Sequence, residues 1–118
     1  MEIIPFVTES LGDSSYILVS GDEAVVVDPQ RDLRPYLAAA EARGARIARA
    51  FETHVHNDYI SGGPALLALG ATVTAPALAK LDFPHQPLAD GDVVAIGSVN
   101  LRAVGTPGHT YEHTAYVV

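Results

Sequence analysis

Three of the five histidines fall in two short segments, Thr53-His54-Val55-His56-Asn57-Asp58-Tyr59 and Thr106-Pro107-Gly108-His109-Thr110. In an extended segment His54 and His56 point to the same side, so their imidazoles can converge on one ion at the about 2.0–2.1 Å that zinc–nitrogen bonds require. Asp58 adds a carboxylate at the same period. Gly62 and Gly63 behind it permit a tight path over the ion, and Gly108 lets the second segment come close enough to deliver His109. The chain has no cysteine, which excludes disulfides, thiolate metal sites, iron–sulfur clusters and a cysteine nucleophile. A metal must therefore be held by His, Asp or Glu. An HxHxD run with glycines behind it and a separate Gly-His predicts such a site. His85, in a Pro-His-Gln-Pro stretch, reads as an ordinary loop residue. His113, four residues after His109, stays balanced between a partner of the ligands and a strand-edge residue.

Both segments directly follow predicted strands, which makes them loops at strand ends. The opening reads as an antiparallel meander of strands at 3–7, 15–19 and 24–28, with turns at Leu11-Gly12-Asp13 and Ser20-Gly21-Asp22. Leu33, Tyr36, Leu37 and Ala40 then make one apolar helical stripe, with Asp32 as N-cap and Gly44 as stop. A strand over 46–53 halts at His54. Pro64 suits the first turn of a helix running to Leu69. Beyond it the pattern predicts a strand at 71–75, a short helix at 76–81, a loop at 82–87, and strands at 93–96, 100–104 and 114–118. Asp28-Pro29 ends the third strand, its carboxylate either bonding its own turn or holding a ligand histidine in one tautomer. Ser61 reads as a turn or N-cap residue. No repeat or linker interrupts the chain, and its last strand runs into Val118 without a cap, as if continued.

Of the 118 residues 48% are hydrophobic and 18% charged, which predicts one compact domain with a core. No apolar run approaches the ~20 residues of a membrane span, and Met1-Glu2-Ile3-Ile4-Pro5 lacks the basic flank of a signal peptide. A cytoplasmic protein without a membrane partner is expected. The net charge of −7 repels a phosphate backbone, so nucleic acid is not expected as a partner. Arg43, Arg46 and Arg49 do not change that, because basic residues near a helix C-terminus complement its dipole.

These segments resemble the metallo-β-lactamase fold superfamily, whose signature is an HxHxDH loop followed some fifty residues later by Gly-His. Within it, residues 52–63 and 105–118 are most similar to the persulfide dioxygenases, also called sulfur dioxygenases, some of which are fused to rhodanese domains; glyoxalase II is the neighbouring hydrolytic branch. Val27-Asp28-Pro29 and the Asp90-Gly91-Asp92 turn extend the resemblance along the chain, over about half of the family's domain. It implies the N-terminal half of an α/β αββα sandwich, with a mixed, mainly antiparallel sheet and two or three helices. The family's carboxylate ligand, a later Asp, and its thiol-binding residues then fall beyond Val118.

The resemblance also implies roles. His54, His56 and His109 fall on first-metal-site positions, His54 and His109 being the pair that the iron-dependent dioxygenases use. His56 is either a third ligand, as in the zinc hydrolases, or a group behind the ligands. Asp58 falls on the acidic position that ligates a second metal in binuclear hydrolases. Tyr59 stands where the family has His, and a phenol with a pKa of about 10 is a poor zinc ligand at neutral pH. That departure predicts a single metal and favours Fe(II) over Zn(II), with Asp58 and Tyr59 orienting ligands or substrate. The expected substrate is a low-molecular-weight thiol persulfide, its sulfane sulfur oxidised to sulfite. A zinc-dependent thioester hydrolase and a non-catalytic metal-binding fragment remain the alternatives. An uncovered inner sheet face makes a homodimer compatible with the sequence, and the resemblance makes a fused rhodanese domain so.

Overall fold

The structure, a computed structural model, describes residues 1–8, 13–53, 63–76, 84–105 and 114–117. Strands β1 (Glu2–Thr8), β2 (Asp13–Ser20) and β3 (Glu23–Val27) form the antiparallel meander that the turn residues predict. Gly21, at a φ of 63°, opens the two-residue turn between Ser20 and Glu23. After β3 the pairing changes to parallel, so the chain must cross over a face of the sheet. Helix α1 (Arg34–Ala42) carries it to β4 (Arg46–Phe51), and α2 (Gly63–Ala68) lies between β4 and β5 (Thr72–Pro76). With β6 (Gln86–Leu88) these strands make a six-stranded sheet in the order β1-β2-β3-β4-β5-β6. Strands β7 (Val93–Ile96), β8 (Val99–Gly105) and β9 (Thr114–Val117) form a separate antiparallel sheet.

The period of two along the central strands sorts side chains into two cores. Ile17, Val19, Ala24, Val26 and Ala50 face the helices and pack with Tyr36, Ala40 and Leu66. Their neighbours Leu18, Val25 and Phe51 face the other way, onto Val94, Ile96, Leu101 and Ala103 of the small sheet. The larger sheet is thus covered on both faces, giving helix, sheet and sheet layers. The outer face of the small sheet is open: Val93, Ala95, Asn100 and Arg102 are exposed. Tyr36 anchors the helix side. Its hydroxyl lies 2.7 Å from Ser15 Oγ and accepts from the Gln30 backbone N–H at 2.9 Å, and its ring meets Phe6 edge-on at 5.1 Å.

Four local expectations are corrected. Asp32 is not the N-cap; Leu33 is, and the Asp32 carboxylate instead accepts from the Arg34 backbone N–H and guanidinium. Leu37 is 41% exposed although it lies on the apolar stripe, because Tyr36 and Ala40 fill the contact with the sheet. Pro76 ends strand β5 rather than starting a helix, paired with Leu88 beyond the β4 ladder, where its missing N–H breaks no β4 bond. Gln86 and Pro87 belong to β6 and not to a loop, since an edge strand tolerates proline on its unpaired side. The rest of the predicted 76–81 helix lies outside the described residues.

Candidate metal centre

The strand ends that carry the histidine segments open at one edge of the sandwich. At the far edge, the β7–β8 turn is fixed to the larger sheet: Gly97 N–H donates to the Glu23 carboxylate at 2.7 Å and Ser98 N–H to Ser20 Oγ at 3.3 Å. From there β8 runs to Gly105, and β9 returns antiparallel with Thr114 opposite Gly105 and Tyr116 opposite Ala103. The Tyr116 hydroxyl donates to the Glu52 carbonyl at 2.7 Å, just past the end of β4. Phe51 and Tyr116 stack at a 4.7 Å centroid distance, tilted by 58°. Residues 53 and 105, the last described before each histidine segment, therefore leave the same side.

Each departure point is held by an aspartate. Asp28 follows β3 in a left-handed conformation, φ 52°, that Asp tolerates better than most residues. Its N–H donates to the Phe51 carbonyl at 2.7 Å, while its carboxylate accepts from both the N–H (2.8 Å) and the hydroxyl (2.6 Å) of Thr53. This carboxylate thus reaches the neighbouring strand end, and the residue it bonds there immediately precedes His54. Glu52, 3% exposed, donates its N–H to the Thr74 carbonyl at 2.8 Å. The second arm is set by the Asp90-Gly91-Asp92 turn. Gly91 N–H donates to Ala103 O at 2.7 Å, Ala103 N–H to Asp92 O at 2.8 Å, and the Asp90 carboxylate accepts from Gly105 N–H at 2.9 Å.

Burial pushes the Tyr116 phenol well above its ordinary value of 10, and the negative charges of Asp28 and Glu52 add to the shift. Tyr116 consequently stays protonated and donating at neutral pH. An apolar cavity of about 260 Å³ opens between the sheets beside Thr53, walled by Leu18, Val27, Leu101 and Tyr116 and reached past Ile3 and Tyr16.

His54, His56, Asp58, Tyr59, Ser61, His109 and His113 lie outside the described residues. Among the described residues no three His, Cys, Asp or Glu come together to hold a metal ion. His85 is half-buried just ahead of β6. Arg43 donates to Glu2 and to the Ala39 carbonyl at the end of α1, whereas Arg49 donates to Thr74 and Gln86, so these two side chains have different partners. Sequence reasoning missed Thr53, Asp90 as the clamp on Gly105, and Tyr116. By residue type, the segments that follow these two strand ends carry imidazoles and a carboxylate, borderline and hard donors of the kind a divalent ion takes.

The model of the metallo-β-lactamase superfamily matches residues 11–117. The chain belongs to that superfamily. The hydroxyacylglutathione hydrolase of Methylobacillus flagellatus is 36% identical over 118 residues, covering 98% of this chain and 46% of that protein. The crystal structure of a metallo-β-lactamase from Staphylococcus aureus superposes with a TM-score of 0.90 at 28% identity, over 98% of this chain and 38% of its own. ETHE1 from Myxococcus xanthus gives a TM-score of 0.91 at 24% identity, over 99% of this chain and 53% of its own, a likeness of fold. The chain spans about half the length of the curated relatives it matches, corresponding to their N-terminal part. In this superfamily fold the expected mixed α/β architecture is present, with four antiparallel and three parallel strand pairings and two helices among the described residues. None of its described helices is long and apolar enough to cross a membrane.

Proposed function

We propose that residues 1–118 are the N-terminal portion of one metallo-β-lactamase domain, and that its reaction is the Fe(II)-dependent oxidation of a low-molecular-weight thiol persulfide. Tyr59 carries this reading. A binuclear hydrolase needs a second set of ligands to hold and activate water, and Tyr59 offers a protonated phenol at the position where that set requires an imidazole. One ion would then remain, for which the imidazoles of His54 and His109 would be the ligands, with His56 as a third ligand or a group behind them. Fe(II), when bound, would supply activation of dioxygen for the oxidation of the sulfane sulfur, in which persulfide, dioxygen and one water give the free thiol, sulfite and two protons. Asp58, an acceptor, and Tyr59, a donor, orient the ligands and the substrate. Asp28 fixes the backbone from which His54 departs. The reading places the protein in the cytoplasm, acting on a small molecule.

A second reading, a zinc-dependent thioester hydrolase, is favoured by the 36% identity to a hydroxyacylglutathione hydrolase and by Asp58, a carboxylate suited to zinc. Metal content after anaerobic purification, measured by elemental mass spectrometry on the wild type, His54→Ala and His109→Ala, separates the two. About one iron per chain, lost in both variants, is the expected result, with glutathione persulfide then driving oxygen uptake. About two zinc ions per chain with hydrolysis of a hydroxyacylglutathione would establish the second reading instead. Metal retained at the wild-type level in both variants would refute the site.

A further inference from the structure

We propose that the cavity between the two sheets beside Thr53 is a binding site for a small, uncharged, largely apolar ring molecule of about the size of indole. The inference goes beyond the reaction proposed above and stands whether or not a metal is bound.

The cavity follows from a mismatch in width: the larger sheet has six strands and the smaller has three among the described residues. Alternation along β1 and β2 sends Ile4, Phe6, Ile17 and Val19 to the helix side and leaves Ile3, Tyr16 and Leu18 on the other face. Two cross-strand pairs on that face, Ile3 with Leu18 and Tyr16 with Val27, make the floor. Leu101 of β8 and Tyr116 of β9 make the roof. Where the small sheet covers the larger one, Leu18 and Leu101 are buried. Towards the outer strands the cover ends, and Ile3 and Tyr16 stay 51% and 42% exposed at the mouth.

Size and wall chemistry select the guest. An apolar cavity of about 150 Å³ stays dry and takes up benzene, so one of about 260 Å³ has room for a second ring. No lining side chain is charged. The Thr53 hydroxyl donates to Asp28 and the Tyr116 hydroxyl to the Glu52 carbonyl, so both are already committed as donors. An ionised or strongly polar guest would give up hydration that these walls do not replace. An apolar ring instead gains by leaving water, and it covers Ile3 and Tyr16 as it does so. Tyr16 and Tyr116 place aromatic rings at the mouth and in the roof, where they favour an aromatic guest. A second copy of the chain is a poorer occupant, since each copy carries a net charge of −7.

The test is a methyl NMR titration of the 118-residue chain with indole and, separately, with purine, which has the same two-ring shape but polar edges. The expected result is saturable shifts at the Leu18, Val27 and Leu101 methyls with a Kd of about 1 mM or tighter. The Val73 methyls, in the helix-side core, should not move. Purine should bind roughly tenfold more weakly or worse. Val27→Phe fills the floor and should weaken indole by roughly tenfold, read at the Leu101 methyls; the wild-type shift map locates the guest even where that variant fails to fold. No saturable shift with indole, shifts spread equally over both cores, purine as tight as indole, or a folded Val27→Phe with wild-type affinity would each overturn the proposal. Shifts at the same methyls that follow protein concentration and that indole leaves unchanged would also overturn it, marking the cavity as the seat of a second copy.

Discussion

Replacing Asp28 by Ala should destabilise the protein by about 3–4 kcal/mol, through two separable effects. The carboxylate accepts two bonds from Thr53, at 2.8 and 2.6 Å, and bonds to a charged acceptor contribute about 1.5–3 kcal/mol each when fully formed. Asp28 is only half-buried and the two bonds share one partner, so about 2–3 kcal/mol for the pair is the reasonable sum. The remainder is backbone: a φ of 52° costs Ala about 1 kcal/mol. Asp28→Gly loses the hydrogen bonds without that strain and should fall about 1 kcal/mol short of Ala. Asp28→Asn tolerates the left-handed conformation, keeps an acceptor for the Thr53 N–H and can donate to its hydroxyl, so its loss should be about 1 kcal/mol. Urea unfolding at constant m measures all three. For 118 residues the unfolding entropy is about 0.25 kcal/mol/K, and the Ala variant should melt about 12–16 °C lower. Ala and Asn variants of equal stability would refute the role of the Thr53 bonds. Equal stability of Ala and Gly would refute the strain.

Two further outcomes follow from positions away from the histidines. A Cβ at Gly97 would meet Ser20 O and Oγ at 2.8 Å with φ at 54°, whereas one at Gly44, φ 66°, meets open space; Gly44→Ala should cost about 1 kcal/mol and Gly97→Ala at least about 1–3 kcal/mol more. Equal urea midpoints for the two would show that the β7–β8 turn does not approach the larger sheet so closely. At low pH, the Arg34 guanidinium and backbone N–H hold the Asp32 carboxyl down at about 2, below its ordinary 3.8. A lowered folded-state pKa means that the pair's contribution is present above pH 3.8 and lost as pH falls through about 2. Both groups are exposed, so salt screens the effect and it is best read directly, as the Asp32 carboxyl titration by carbon NMR. Arg34→Ala should raise the midpoint toward 3.8; an unchanged midpoint would remove the pair as the cause.

The elements legible in the sequence were those whose signal is local. The β-rich run Ser15-Tyr16-Ile17-Leu18-Val19, the Ser20-Gly21-Asp22 turn and the 3–4 spacing from Leu33 to Ala40 need only a few neighbouring residues, and each became the expected element. Errors came where a proline signal was read without knowing the strand's place in the sheet. Pro76 and Pro87 suggest a helix start and a loop by their chemistry, yet one closes β5 past the β4 ladder and the other sits on the sheet edge. Leu37 fits the helical stripe, but Tyr36 and Ala40 already occupy the contact with the sheet.

For the candidate site the division is similar. His54, His56, Asp58 and His109 raise the expectation of a metal site from the sequence alone, because ligand type and a period of two are local properties. The absence of cysteine from these residues excludes, also from the sequence, a thiolate ligand supplied by them. Only the tertiary structure shows that Asp28 reaches Thr53 across 25 positions, that Asp90 reaches Gly105 across 15, and that Tyr116 reaches Glu52 across 64. A hydrogen-bond partner so distant is chosen by sheet order and register, which arise from how two cores pack. No spacing along the chain encodes that choice.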